Sequence, residues 1–231
     1  MTTANSVLRA IALTKKVISP EGELTILEDF NIDIGAGESV AIVGPSGAGK
    51  STLLALLAGL DSATNGEVWL GDTQMNRLDE DGRARLRNEK VGFVFQSFHL
   101  LQSLTAIENV MLPLELDAAP DARPRARAAL VEVGLEHRLL HYPRQLSGGE
   151  QQRVAIARAF VTSPEILFAD EPTGNLDSKS ADKVFYLFED LVKEGKTFMM
   201  VTHDLGLASR IPRVIEVLDG ELHENGNGRP H

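Results

Sequence analysis

Residues 44–52 read Gly44-Pro45-Ser46-Gly47-Ala48-Gly49-Lys50-Ser51-Thr52. The apolar run Ser39–Val43 precedes them and Leu53-Leu54-Ala55-Leu56-Leu57 follows, so the order is strand, glycine loop, helix. Glycines let successive backbone N–H groups turn inward and surround phosphate oxygens. The helix that starts here also points its positive dipole end at the anion. Lys50 is placed to reach the β- and γ-phosphates of a bound nucleotide, and the Ser51 hydroxyl to ligate Mg²⁺. A phosphate-binding loop of this kind predicts a mostly parallel α/β sheet with the ligand at its carboxyl edge.

Working outward, 231 residues suffice for one large domain or two closely joined lobes with a substantial core. The net charge of −10 disfavours nucleic acid or an anionic lipid surface as a bulk partner. The absence of cysteine excludes disulfides, thiolate metal sites and a Cys nucleophile. Residues Met1–Ser6 show no basic stretch followed by an apolar one, and no apolar run approaches the ~20 residues that cross a bilayer. The expectation is a cytosolic chain whose membrane role, if it has one, depends on a separate embedded partner.

Along the chain, 7–13 and 24–34 alternate as strands around the turn Ser19-Pro20-Glu21-Gly22-Glu23. Ser39–Val43 reads as a buried strand, Asp61–Gly66 as a loop, Glu67–Leu70 as a short strand and 79–89 as a charged helix. Val91–Gln96 reads as a buried strand ending in a polar amide. From Thr105 to Phe160 the pattern is helical, with a loop at 117–124. Glu165–Asp170, the helix 178–193 and the strand Thr197–Thr202 return to the α/β pattern, which implies parallel pairing. The expected organisation is a single unit over 1–231. It has an α/β core over about 1–96 and 161–223, with a small antiparallel β region, an inserted helical lobe over about 97–160, and a disordered tail at 224–231.

Two further segments carry chemistry. Ile166-Leu167-Phe168-Ala169-Asp170-Glu171 is an apolar strand ending in two carboxylates. Asp170 is placed to hold a Mg²⁺ shell and Glu171, one position on, to face an attacking water. Leu146-Ser147-Gly148-Gly149-Glu150-Gln151-Gln152-Arg153 opens a helix, with Ser147 as N-cap and Glu150 completing a capping box. That segment reads either as a plain capped helix or as a second anion-binding surface. With one lysine-bearing loop for two such surfaces, the second fits another molecule's nucleotide. Gln96 is a candidate metal ligand or water-orienting group or merely a satisfied strand end; His203, after the apolar Phe198–Thr202, is either structural or catalytic.

Together GPSGAGKST, Gln96, LSGGEQQR, ILFADE, Asn175-Leu176-Asp177 and His203 occur in an order that resembles the ATP-binding cassette ATPases, over about residues 7–223. The phrases VGFVFQSFHLL, LTAIENVMLPL and ILFADEPTGNLD are similar to the cytosolic subunits of lipoprotein-release and macrolide-efflux transporters. The resemblance implies a P-loop NTPase core that binds ATP and Mg²⁺. Gly44, Pro45, Ser46, Gly47, Ala48, Gly49, Lys50, Ser51 and Thr52 would hold the triphosphate, with Ser51, Gln96 and Asp170 around the metal. Glu171 would act as general base, Gln96 beside it, and His203 would contact the γ-phosphate. Ser147, Gly148, Gly149 and Glu150 would close over the ATP of a second copy, with Asp177 at the seam, making a head-to-tail homodimer.

The resemblance also implies an integral membrane permease, docked near Ser97–Glu115, that holds the chain at the cytoplasmic face of the inner membrane. Phe98, Leu100, Leu101 and Leu104 there either form that exposed surface or fill the lobe's core. One departure from the family pattern is that Lys15-Lys16-Val17-Ile18 stands where an aromatic residue often stacks on adenine, which shifts the binding energy toward the phosphates. A force-transmitting or regulatory ATPase on a membrane partner, without solute translocation, is the alternative function. A soluble DNA-repair ATPase of the same superfamily fits poorly, because the interval from Lys50 to Ser147 is compact and the chain acidic.

Overall fold

A computed structural model describes residues 6–20, 22–218 and 220–224. In chain order the strands and helices begin with β1 (Ser6–Ser19), β2 (Gly22–Gly35), β3 (Ser39–Val43), α1 (Lys50–Leu57), β4 (Asn65–Leu70), β5 (Thr73–Gln74), α2 (Glu80–Lys90) and β6 (Val91–Val94). They continue with α3 (Ala106–Leu116), α4 (Ala122–Glu132), α5 (Gly148–Phe160), β7 (Ile166–Asp170), α6 (Ser178–Lys193), β8 (Thr197–Val201), α7 (Leu205–Ala208), β9 (Arg213–Leu218) and β10 (Glu221–Glu224). The order β10-β9-β3-β8-β7-β6 makes a six-stranded sheet, parallel except for β10, and β2-β1-β4-β5 makes a separate antiparallel sheet.

The parallel sheet is covered on both faces, so its central strands read as unbroken apolar runs rather than alternations. Every residue of β3 and β8 is buried. Leu53, Leu54, Leu56 and Leu57 of α1 cover one face; Phe185, Phe188 and Leu191 of α6 belong to the core on the other. Strands β3, β7 and β8 therefore end together at one carboxyl edge, where Val43, Asp170 and Val201 lead into their loops.

The first two strands run longer than their alternation predicts. Ala12 and Asp29 take positive φ of 48° and 46°, and the β1–β2 register shifts around them. A bulge resets which face a side chain points to, so the pattern stops at 13 while the pairing continues to Ser19. The charged helix arrives as α2, capped by Asp79, whose carboxylate accepts the Gly82 N–H at 2.8 Å. Helix α4 starts at Ala122, inside the expected 117–124 loop; Pro124 lies in its first turn, where no intrahelical N–H bond is lost.

Val91–Gln96 is shorter than expected: β6 ends at Val94, and Gln96 lies in an exposed turn. β6 is the sheet's edge strand, half-buried on alternate residues. Strands β9 and β10 and the short α7 had no counterpart in the pattern reading, although Val214-Ile215-Glu216-Val217-Leu218 carries strand-forming residues. Glu224, expected in a disordered tail, is the last residue of β10; 225–231 lie outside the described residues.

Helices α3, α4 and α5 enclose a core of their own, built from Leu100, Ile107, Val110, Leu114, Leu130 and Val154 among others. Asn109 is fully buried there: its Nδ2 donates to the carbonyls of Leu101, Leu104 and Thr105 and its Oδ1 accepts from Leu101 N–H. Helix α5 is shared, because Ile156 and Ala159 face the α6 side of the sheet while Val154, Ala155 and Ala157 face the lobe. Among the described residues no helix is long and apolar enough to cross a membrane.

Candidate functional site

The phosphate loop is shaped by backbone that only glycine tolerates. Gly44 has φ 149°, and a Cβ there would lie 2.2 Å from the Val217 carbonyl oxygen of β9. Gly49 has φ 88° and stands at the N-cap of α1 with no side chain capping the first turn. The unpaired N–H groups of that turn are left for an anion. Lys50 is 8% exposed, and its Nζ donates to the carbonyls of Gly44 at 2.9 Å and Pro45 at 2.8 Å. The ammonium is thereby held over the mouth of the loop, while Pro45, Ser46 and Gly47 remain exposed.

Across the carboxyl edge, Ser51 Oγ donates to Asp170 Oδ1 at 3.1 Å, which joins α1 to the end of β7. Burial pushes the Asp170 carboxyl up, the Ser51 bond offsets part of that, and neighbouring Glu171 adds to it. A carboxylate whose folded-state pKa is raised weakens the fold above that pKa, and the cost disappears below the ordinary aspartate range. Asp170→Asn keeps an acceptor for Ser51 and removes the charge. In chelator at pH 8 the variant is expected to melt at or above the native chain, with the advantage vanishing on acidification. A lower melting temperature at pH 8 would show that the carboxylate is not penalised.

Glu171 follows immediately with φ 47°, a left-handed backbone rare outside glycine, and its N–H is fixed to the Val201 carbonyl at 3.0 Å. Strain of this kind costs on the order of 1–3 kcal/mol and is retained where the surroundings over-determine it. Its effect is to turn the carboxylate out of the strand line toward His203, whose Nδ1 lies 2.8 Å from Glu171 Oε2. The pair opens onto a depression of about 260 Å³ that also reaches Thr173, Gly174 and Asp204. Gln96 lies near them: its main-chain carbonyl accepts Asn175 Nδ2 at 3.0 Å, and its side-chain amide nitrogen comes within 3.0 Å of where a Gly174 Cβ would sit.

Ser147, Gly148, Gly149, Glu150 and Asp177 are assembled as a second patch. Ser147 Oγ accepts the Glu150 N–H at 3.3 Å, and the Glu150 carboxylate accepts the Ser147 N–H at 2.8 Å, so the expected capping box is formed. Arg138 adds an ion pair to Glu150 at 2.9 Å. Burial pulls the Glu150 carboxyl up, but the Ser147 N–H and Arg138 outweigh it and hold it below the usual range. Leu176 packs against this end of α5, 3.6 Å from where a Gly148 Cβ would sit. Next to it Asp177 accepts the N–H groups of Lys179 and Ser180 at the start of α6, both at 3.1 Å. Asp177 thus has a capping job, which the sequence reading did not assign. Arg138, Asn175 in its bond to Gln96, and Arg158 were also missed; only Arg158, a cation in the apolar stretch Val154–Phe160, carried a visible signal.

The oxygen donors fit a hard divalent cation: a hydroxyl, a carboxylate and an amide from Ser51, Asp170 and Gln96. No cluster of three or more His, Cys, Asp or Glu suited to a metal occurs among the described residues. That composition matches an ion shared with substrate phosphates rather than one caged by protein alone.

A family model described as ABC transporter matches residues 27–174. The chain belongs to the ABC transporter family. It is 50% identical over 224 residues to the ABC transporter ATP-binding protein YbbA of Escherichia coli K12, covering 96% of this chain and 98% of that one. It is 46% identical over 223 residues to the lipoprotein-releasing system ATP-binding protein LolD of Idiomarina loihiensis, covering 95% and 98%. The dimeric post-hydrolysis cassette MJ0796 bound to ADP and Pi matches it with a TM-score of 0.87 and 41% identity, over 96% of this chain and all of that one. The family and the α/β cassette fold read from the sequence are both borne out.

Proposed function

We propose that this cassette is the ATP-hydrolysing subunit of a transporter, and that two copies enclose two ATP molecules head to tail. In each site Gly44–Thr52 of one copy cradles the triphosphate and Ser147–Glu150 of the other closes over it, with Asp177 at the seam. The observation that carries this reading is that two helices open on glycine while the lysine-bearing loop belongs to α1 alone. The uncapped start of α1 shares an edge with Asp170, Glu171 and His203, whereas the glycine start of α5 lies with Leu176 and Asp177. The dimeric state of the MJ0796 cassettes supports the pairing.

Within a site, Lys50 leaves the Gly44 and Pro45 carbonyls for the phosphate oxygens. Ser51, Asp170 and Gln96 would hold Mg²⁺, which when bound neutralises phosphate charge. Glu171 accepts the proton of a water aligned with the γ-phosphate, and His203, oriented by its contact with Glu171, donates to a γ-phosphate oxygen. Positioning and charge neutralisation carry most of such a reaction.

The membrane partner has a candidate seat. Leu100 is 7% exposed and Phe98 half-buried in the lobe's core, whereas Leu101 is exposed. Beside them a cleft of about 340 Å³ is lined by Phe93, Phe95, His99, Leu112, Pro113 and Leu116. A permease segment docked there would hold the cassette at the cytoplasmic face and receive its closing motion. Export and lipid or lipoprotein extraction are the transport modes that the LolD relative favours.

Orientation is testable because the chain has no cysteine of its own. Ser46→Cys and Ser147→Cys, combined in a Glu171→Gln background, are treated with a short bis-maleimide. The expected product is a covalent dimer that forms only with ATP. Cross-linking confined to single chains at saturating ATP contradicts the head-to-tail arrangement.

A further inference from the structure

Arg158, in the last turn of α5, has no part in the chemistry above. Its Nη1 donates to the His99 carbonyl at 2.7 Å and its Nη2 to the Phe98 carbonyl at 3.1 Å. Phe98 and His99 both hold left-handed backbone, with φ 60° and 48°, though neither is glycine. The turn they close begins at Phe95: Phe98 N–H bonds the Phe95 carbonyl, and the His99 ring stacks on Phe95 with centroids 4.4 Å apart. Gln96 lies inside this turn. The guanidinium is largely desolvated, and among the described residues it forms no ion pair with a carboxylate. Its donors are spent on backbone carbonyls, which two nitrogens of a rigid planar fork take at a fixed separation that a single ammonium nitrogen does not reproduce.

The turn is thus gripped from two sides. Asn175, on the loop that follows Glu171, holds the Gln96 carbonyl. Arg158 holds the far end of the same turn and belongs to the helix that begins at Ser147–Glu150. We propose that Arg158 is a positioning residue for hydrolysis: it bolts the Gln96 turn to α5, so that Gln96 and the patch offered to the second copy move as one body. The inference rests on the role given above to Gln96. It also explains why two strained residues persist there, since the fork's bonds to their carbonyls select that backbone.

A double-mutant cycle in steady-state ATP hydrolysis tests it, because only coupled residues give non-additive losses. Arg158→Leu is expected to lower kcat at least about tenfold, with KM for MgATP changed less than about threefold, and Arg158→Lys to fall between. In a Gln96→Ala background, Arg158→Leu should cost less than about threefold more. Equal losses in both backgrounds, or an unchanged kcat, overturn the bolt. Full activity of Gln96→Ala instead overturns the role of Gln96, whereas loss in Gln96→Ala with none in Arg158→Leu overturns only the present inference. If Arg158→Leu does not fold, Arg158→Lys runs the same cycle. Amide exchange decides independently of turnover: in Arg158→Lys, the peptide over 95–99 should exchange at least about tenfold faster while β7 is unchanged. Unaltered exchange over 95–99 rejects the proposal.

Discussion

Glu171→Gln is expected to reduce kcat for ATP hydrolysis by about 10²–10⁴-fold, the usual contribution of a general base. That corresponds to roughly 3–5 kcal/mol of barrier. The amide oxygen of glutamine still accepts from His203, so the histidine keeps its place. The backbone bond from residue 171 to the Val201 carbonyl is also untouched. ATP binding should therefore survive while turnover stops, and the closed pair should accumulate. Light scattering on a sizing column is expected to show a monomer without nucleotide and a dimer with ATP. A variant that turns over at the native rate removes Glu171 from the base role. One that binds ATP but stays monomeric at saturation removes the shared site.

Lys50→Ala should act one step earlier, on binding. The lysine is buried beneath its own loop, and its ammonium is held there by the carbonyls of Gly44 and Pro45. A hydrogen bond to a charged group is worth about 1.5–3 kcal/mol, so losing it weakens ATP binding by roughly ten- to a hundredfold. At ATP equal to about 100 times the native Kd, the native chain gains about 2.7 kcal/mol. For a chain of this size that is a rise in Tm of roughly 5–10 °C. A hundredfold weaker variant gains only about 0.4 kcal/mol, or roughly 1 °C. A full ATP-induced shift in Lys50→Ala would place the binding energy elsewhere in the loop. The two variants separate cleanly, since one loses turnover with binding intact and the other loses binding itself.

Much of this machinery could be read without coordinates because it is local. Gly44–Thr52 is a loop whose backbone demands glycine at set positions. Ser147 and Glu150 form a capping box within one helical turn. Ile166–Ala169 is apolar at every position because it is buried on both faces. In each case the residues that interact are neighbours in the chain, and their spacing records the geometry. The same local logic misjudged Gln96, placed in a strand although β6 ends at Val94. An apolar run does not show where an edge strand loses its single partner. It also stopped β1 at 13, because the bulge at Ala12 breaks the alternation without ending the pairing.

The sequence by itself determined the phosphate loop, the order of strands and helices around it, and the residue types needed for hydrolysis. Tertiary structure decided which of these meet. Ser51 finds Asp170, Glu171 finds His203, Asn175 finds Gln96, and Arg158 finds Phe98 and His99, each across a long stretch of chain. Those pairings follow from parallel strands ending at one edge and from a helix shared by two cores. Neither arrangement leaves a periodic trace, because periodicity reports which face of an element is buried and not what lies against it.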